Sequence, residues 1–270
     1  MVNIPLTFLL PSLIGAILAG FVCSTMGNFV VRMNLSNIGY CMSHAAFAGA
    51  AFGLLITVDA MLTAILFAII TAMVLGPLAE KARLENNVVI GFMFSFMIAL
   101  AFVFLYAEPG EAATGKALSI LWGSLIYVDF NDVILLSVLS FILLIFITVF
   151  YKELLAVMFN RKMAESVGIN TRVFYFSVLF FTGFAVAMSL KIVGGLLVFA
   201  LIINPTSTSY QFFYDFKKIM IFSSVIGIIS CLLGFYLSLI LDFPIGAAIV
   251  IVSALLFACS LIISPKRRRG

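Results

Sequence analysis

The chain has little charge. Only 10% of its 270 residues are Asp, Glu, Lys or Arg, whereas 64% are apolar. A soluble domain is closer to about 25% charged and about half apolar, so the composition excludes a soluble globular protein. The chain also holds a single histidine and four cysteines, without a CxxC pair or an HExxH motif. This scarcity argues against a disulfide framework and against an intramembrane enzyme.

Nine apolar stretches lie between the charged residues that remain. A helix needs about 20 mostly apolar residues to cross the hydrocarbon core of a bilayer. The stretches that approach this length cover 5–31, 38–57, 60–79, 86–106, 132–151, 173–190, 193–210, 218–240 and 244–263. They predict an all-α fold, a polytopic integral membrane protein with about nine transmembrane helices that form a single domain over residues 1–270.

The positive charges predict the orientation, because Lys and Arg collect in cytoplasmic loops. With the N-terminus outside and the C-terminus in the cytoplasm, every Lys and Arg except Lys116 and Lys191 faces the cytoplasm. The net charge of +4 then reflects topology and a weak attraction to anionic membrane lipid, and we expect no nucleic-acid partner. Segment 107–131 becomes an outer loop, whose apolar middle (117–128) is too short to cross and fits a re-entrant or interfacial helix.

Residues 110–117 come close to the phosphate-binding pattern GxxxxGK[ST], but Ala117 stands where a hydroxyl must reach the magnesium ion. No strand is predicted before this segment, and the topology places it outside the cell. We therefore expect no bound cofactor on this chain. If the protein pumps with ATP, another chain binds the ATP.

The single histidine, His44, lies within the second predicted span, next to few other polar groups. Tyr40 shares its helix face because the two are four residues apart, and Cys41 is close by. Imidazole is a common ligand of zinc, manganese and other transition metals. His44 is therefore a candidate metal ligand on a transport pathway, or alternatively a hydrogen-bonding group that holds the tight helix crossing favoured by Gly49 and Gly53.

Asn204 and Pro205 interrupt the seventh predicted span and are followed by Thr-Ser-Thr-Ser. Proline removes a backbone donor and kinks a helix, and nearby hydroxyls can satisfy the freed groups. The segment is either a structural kink, with Ser and Thr bonded back to carbonyls, or a break that lines a pathway with Asn204.

The sequence of the inner loop between the fifth and sixth spans predicts a short helix of about eight residues. Asn160 suits the N-cap, and Gly168 suits the left-handed position after the helix end. Met163, Ala164 and Val167 can form a modest apolar face. Such a helix beside a membrane docks in a partner's groove or lies on lipid.

Six segments, in this order, resemble the membrane permease of the metal-ion class of ABC importers, which take up zinc, manganese or iron. Residues 39–49 read Gly-Tyr-Cys-Met-Ser-His-Ala-Ala-Phe-Ala-Gly, where that family carries Gly-Asp-x-x-Ser-His-Ala-x-x-x-Gly. The other five are 76–78 (Gly-Pro-Leu), 117–124 (Ala-Leu-Ser-Ile-Leu-Trp-Gly-Ser), 160–168, 193–205 (Val-Gly-Gly-Leu-Leu-Val to Asn-Pro) and 241–246 (Leu-Asp-Phe-Pro-Ile-Gly). The match covers nearly the whole chain.

The resemblance implies two copies of the chain in a prokaryotic cell membrane. Each contacts a cytoplasmic ATPase that binds ATP and magnesium, and an extracytoplasmic metal-binding protein delivers a divalent ion. Segment 160–168 matches the coupling helix that sits on the ATPase, and its candidate residues are Asn160, Arg161, Ala164, Glu165 and Gly168.

The family's metal-facing Asp and His fall on Tyr40 and His44. A phenol, with a pKa near 10, is a poorer ligand for a hard cation than a carboxylate, so the identity of the ion stays open.

The main alternative is a secondary transporter driven by an ion gradient. Such a protein needs carboxylates inside the membrane to couple the two ions. The predicted spans hold none deep in the core, because the acidic residues cluster at their ends. We therefore favour a transport subunit without enzymatic activity of its own.

Overall fold

The computed structural model describes residues 6–107, 128–195 and 198–266. All regular structure in these ranges is helical. The helices are α1 (Leu6–Arg32), α2 (Ile38–Leu55), α3 (Ala60–Ala82), α4 (Asn86–Ala107), α5 (Phe130–Val149), α6 (Tyr151–Phe159), α7 (Arg161–Ser166), α8 (Thr171–Val193), α9 (Val198–Phe212), α10 (Phe216–Leu241) and α11 (Ile245–Ile263). The predicted all-helical membrane fold is confirmed.

Among the described residues, 8 helices are long and apolar enough to cross a membrane. The ninth predicted span, 193–210, corresponds to α9, a helix of only 15 residues. At a rise of about 1.5 Å per residue, the described part of α9 is about 22 Å long, compared with ~30 Å for the hydrocarbon core. The count of nine spans and the orientation therefore stay predictions. The near match to a phosphate-binding loop at 110–117 lies outside the described residues, as does the apolar segment 117–128 except for its last residue.

Helix α2 carries the candidate residues Tyr40 and His44. It packs against α3, α4, α8 and α9. Most of its 18 residues are buried. The crossing with α3 is close because Gly49 faces the Thr63 carbonyl and the side chain of Phe67. Small residues at such crossings let helix backbones approach within a membrane. The position of His44 therefore depends on how closely α2 and α3 pack.

Replacing Gly49 with alanine is expected to destabilise the bundle. The new Cβ would lie 2.8 Å from the Phe67 Cβ and closer still to the Thr63 carbonyl. Overpacking of this kind costs about 1–3 kcal/mol, which lowers the Tm by roughly 3–10 °C in a chain of this size. The measurement is thermal unfolding of the detergent-purified protein.

Gly91→Ala on α4 is the matched control, because no heavy atom lies within 4 Å of the Cβ that would be added there. Its Tm should stay constant or rise slightly, since alanine is the better helix former. Equal Tm values for the two variants would contradict the close crossing.

Candidate ion pathway and coupling segment

Tyr40 and His44 lie one helical turn apart on α2, and two aromatic rings meet them there. The Tyr40 ring stacks on Phe199 of α9, with ring centroids 3.6 Å apart, and meets Phe94 of α4 edge-on at 6.3 Å. The His44 ring lies 4.7 Å from the same Phe94 ring. Helices α2, α4 and α9 thus build an aromatic corner, defined by Tyr40, His44, Phe94 and Phe199.

The two polar members of the aromatic corner differ in their solvent exposure. Tyr40 is 39% exposed, whereas His44 is only 4% exposed. The Nδ1 atom of His44 is buried and has no hydrogen-bond partner in the described part of the chain. A buried polar atom without a partner is uncommon in proteins. His44 therefore keeps one nitrogen available for a ligand or a water molecule.

An open cleft with a volume of ≈ 280 Å³ lies beside Tyr40. Its walls come from Asn37, Tyr40, Ile90, Gly91 and Phe94. These residues offer one amide, one phenol and aromatic faces, without a carboxylate. Aromatic faces attract cations weakly, by about 0.5–2 kcal/mol. The cleft is suited to a transient contact with a cation rather than to tight binding.

No group of three or more His, Cys, Asp or Glu residues within 6–107, 128–195 and 198–266 could hold a metal ion. Cys41 is fully buried and does not line the cleft. The described part of one chain therefore offers His44 as a single nitrogen ligand.

Asn204 has a partner on another helix. Its Nδ2 donates a 3.0 Å hydrogen bond to Ser253 Oγ of α11, and Asn204 does not line the cleft. Thr208 and Ser209 donate hydrogen bonds to the carbonyls of Asn204 and Pro205, at 2.7 and 2.8 Å. Hydroxyl groups bonded back to carbonyls are the pattern that the structural-kink alternative expects, although these two do not reach the Leu201 carbonyl that Pro205 leaves without an amide donor.

The inner segment forms the predicted short helix. Asn160 is its N-cap, with Oδ1 accepting from the Met163 amide at 3.1 Å. Gly168 adopts φ 85°, a conformation that favours glycine. Helix α7 spans six residues rather than the predicted eight or so. The predicted cap and the left-handed glycine are both confirmed.

The predicted apolar face of α7 is divided between two environments. Met163 is 61% exposed and Val167 is 73% exposed, so both are open to a partner. Ala164 is 2% exposed and packs inside the chain. Ala164 therefore fixes the position of the helix. Met163 and Val167, which directly follows the last residue of α7, form its free apolar surface.

Arg161 and Glu165 fasten α7 to the start of α8. Arg161 Nε lies 3.4 Å from Glu165 Oε1 and donates to Thr171 Oγ1 at 3.1 Å. Thr171 Oγ1 in turn donates to Glu165 Oε1. This hydrogen bond, aided by the charge of Arg161, lowers the pKa of the Glu165 carboxyl, so the acid is ionised at neutral pH. The contacts make α7 and the first turn of α8 one unit.

A model of the ABC 3 transport family matches residues 5–264. The chain belongs to the ABC 3 transport family. Its relatives include the manganese transport system membrane protein MntC of Halalkalibacterium halodurans, which is 30% identical over 97% of this chain and 89% of its own length. The MntC protein of Listeria monocytogenes is 28% identical over 97% of this chain and 92% of its own length.

The fold of this ABC 3 family chain is similar to that of a solved transporter, PsaBC from Streptococcus pneumoniae in complex with Fab. The TM-score is 0.85, with 25% identity, over 97% of this chain and 93% of the other. The relatives are membrane subunits of transport systems rather than enzymes. The chain is a multi-pass protein of a prokaryotic cell membrane with the permease fold, as the resemblance predicted.

Two members of the aromatic corner, Phe94 and Phe199, are absent from the predicted site residues. Both come from helices distant in sequence from α2, so no local spacing connects them to Tyr40. Thr171 was also missed, because its contact with Glu165 crosses the turn between α7 and α8 and follows no helical spacing. The i, i+4 spacing of Arg161 and Glu165, in contrast, is a signal that the sequence carries.

Proposed function

We propose that this ABC 3 family chain is the transmembrane subunit of an ATP-driven importer for a divalent metal ion, namely zinc, manganese or iron. Two copies form the pathway. A separate cytoplasmic ATPase binds ATP and magnesium, and an extracytoplasmic metal-binding protein delivers the ion. The observation that carries the proposal is the family match over nearly the full chain, together with relatives named as manganese transport subunits.

The contacts of α7 support a route for coupling. Movement of the ATPase subunits would act on the exposed Met163 and Val167 of α7. The contacts of Arg161 and Glu165 with Thr171 would pass that movement to α8. Helix α8 packs against α1, α2 and α3. A rigid displacement of α8 would therefore reach α2, which carries Tyr40 and His44.

The aromatic corner supports the role of a weak contact point for the ion. A pathway that holds an ion too tightly cannot release it, so conduction favours weak sites. His44 supplies one nitrogen, and a second copy of the chain would double it. The delivering protein would then supply the binding affinity for the ion, and ATP hydrolysis by the partner would set the direction of transport.

Acidic residues in the described spans do not supply a carboxylate for gradient-driven coupling. The buried acid Asp132 is 7% exposed and lies in the first turn of α5. It forms a capping box with Asp129, and its Oδ2 accepts from the Asp129 amide at 3.1 Å. The capping box places Asp132 at the end of its span rather than deep in the core, which favours the ATP-driven importer over the secondary transporter.

Replacing Tyr40 with aspartate is expected to shift ion preference toward manganese. Carboxylate oxygen suits manganese, whereas imidazole alone suits zinc and iron better. With both metals supplied through the same delivering protein, we expect the ratio of manganese to zinc uptake to rise several-fold. Tyr40→Phe keeps the ring stacked on Phe199 and is the control. An unchanged ratio of manganese to zinc uptake in Tyr40→Asp would show that Tyr40 does not contact the ion during transport.

Native mass spectrometry of the chain co-expressed with the ATPase encoded beside it tests the assembly. The proposal expects two copies of each subunit, with ATP hydrolysis stimulated by the metal-loaded delivery protein. A chain that purifies alone, with no effect on the ATPase, would refute the proposed coupling.

A further inference from the structure

A small cavity lies where the ends of α1, α6, α9 and α10 meet, at the predicted cytoplasmic side. Its volume is ≈ 80 Å³, several times the ~10–15 Å³ that a single water molecule requires. Arg32, Tyr210 and Tyr214 supply its polar groups, and Met158 and Phe159 are among its apolar walls. The cavity therefore has room for a compact polar group against apolar surroundings.

Two of these polar groups, on Tyr210 and Arg32, lack a partner among the described residues. The Tyr210 hydroxyl is buried, and within the described ranges no atom hydrogen-bonds to it. Arg32 is exposed and forms no ion pair with a described carboxylate. A buried hydroxyl normally has a hydrogen-bond partner, and guanidinium groups pair with carboxylates or phosphates in a two-pronged geometry. Together they point to an acceptor that carries negative charge.

A second positive charge lies at the rim of the cavity. The Lys266 ammonium lies 3.9 Å from the centroid of the Tyr214 ring and donates to the backbone carbonyl of Tyr210. Two acids occur on the same elements, but Asp215 caps α10 by accepting from the Lys217 amide, and neither Asp215 nor Glu153 lines the cavity. Among the described residues that line the cavity, Arg32 is the only charged one.

The depth of the cavity matches that of lipid headgroups. Arg32 is the last residue of the apolar span Leu9–Arg32. Tyr214 and Phe159 are 78% and 76% exposed beside it. Aromatic residues concentrate at the membrane–water interface, at headgroup level. Both faces of the membrane have a headgroup layer, so the cavity lies at headgroup depth whichever side it faces.

We propose that the cavity binds the phosphate of an anionic phospholipid headgroup. Arg32 pairs with the phosphate, the Tyr210 hydroxyl donates to one of its oxygens, and the apolar walls contact the first carbons of the lipid. Lys266 at the rim repels the ammonium of a zwitterionic headgroup and so favours a lipid with net negative charge. The bound lipid ties α6, which leads into α7, to α1 and α9.

The test compares lipids added to the delipidated full chain in mild detergent. Phosphatidylglycerol is expected to raise the Tm by several degrees, and phosphatidylcholine or inorganic phosphate by much less. Arg32→Gln and Tyr210→Phe should each lose at least half of the phosphatidylglycerol shift. Tyr210→Phe keeps the ring and so preserves packing. Lys81→Gln removes an inner-side charge that does not line the cavity, and it should keep the full shift.

Native mass spectrometry of the same samples should count fewer retained phosphatidylglycerol molecules in Arg32→Gln than in Lys81→Gln. An equal phosphatidylglycerol shift in all three variants would overturn the proposal. An equal rise in Tm with inorganic phosphate would show that the cavity binds a free anion rather than a lipid. If Arg32→Gln instead weakened only ATPase co-purification, with the lipid shift intact, the occupant would be an acidic side chain of that partner.

Discussion

Replacing His44 with alanine is expected to reduce ATP-driven metal uptake by at least tenfold, which is a loss of about 1.4 kcal/mol of transition-state stabilisation. His44 carries the only side-chain nitrogens of the aromatic corner, and its Nδ1 has no hydrogen-bond partner in the described ranges. The complex with the ATPase should still assemble, because His44 lies far along the chain from α7. Radiolabelled zinc or manganese uptake into proteoliposomes measures the loss.

Two further variants separate ligand from packing at this position. His44→Phe keeps a ring against Phe94 and removes the nitrogens. Loss of uptake in both His44 variants supports a ligand role, whereas recovery in His44→Phe would assign His44 to packing. Ser43→Ala is the neighbouring control, because the Ser43 hydroxyl donates to the Gly39 carbonyl of its own helix at 2.7 Å. Its uptake should remain normal.

A charge introduced on the free apolar surface of α7 is expected to uncouple the ATPase. Met163→Glu and Val167→Glu each add a carboxylate at an exposed apolar position, 61% and 73% exposed respectively. If these side chains enter a groove on the ATPase, an unpaired charge there costs several kcal/mol. Co-purification of the ATPase should fall by more than tenfold, and ATP-driven uptake should be lost with it.

The controls for α7 use the structure of the segment. Leu84→Glu makes the same change at a 51% exposed position between α3 and α4, on the same predicted side of the membrane, and should leave ATPase binding intact. Ala164→Glu differs, because Ala164 is buried. It should loosen α7 from its own chain, seen as faster hydrogen exchange of the Ile169 amide, which donates to the Ala164 carbonyl. Full ATPase binding by Met163→Glu would contradict the coupling role.

The amino-acid composition was sufficient to predict the helices, because a spanning segment must be both apolar and about 20 residues long. Within the predicted span 193–210, Gly194 adopts φ 91°, a conformation outside the helical region, and the described helix α9 covers Val198–Phe212. Hydropathy does not register such a local backbone change, so the composition predicted the apolar stretch but not the bounds of its helix.

The candidate site was predictable only where its contacts are local. Tyr40 and His44 are four residues apart, and helix geometry alone places them on one face. Phe94 and Phe199 reach them through the packing of α4 and α9 on α2, which no local spacing encodes. The same limit applies to Asn204, whose partner Ser253 lies on another helix.

The most direct test of the account is metal accumulation in liposomes that contain either the purified chain alone or the chain with its ATPase. The account predicts accumulation only when the ATPase, ATP and the metal-loaded delivery protein are all present. With the chain alone, an imposed proton or sodium gradient should give no uptake above that of empty liposomes. Accumulation by the chain alone under such a gradient would contradict the account.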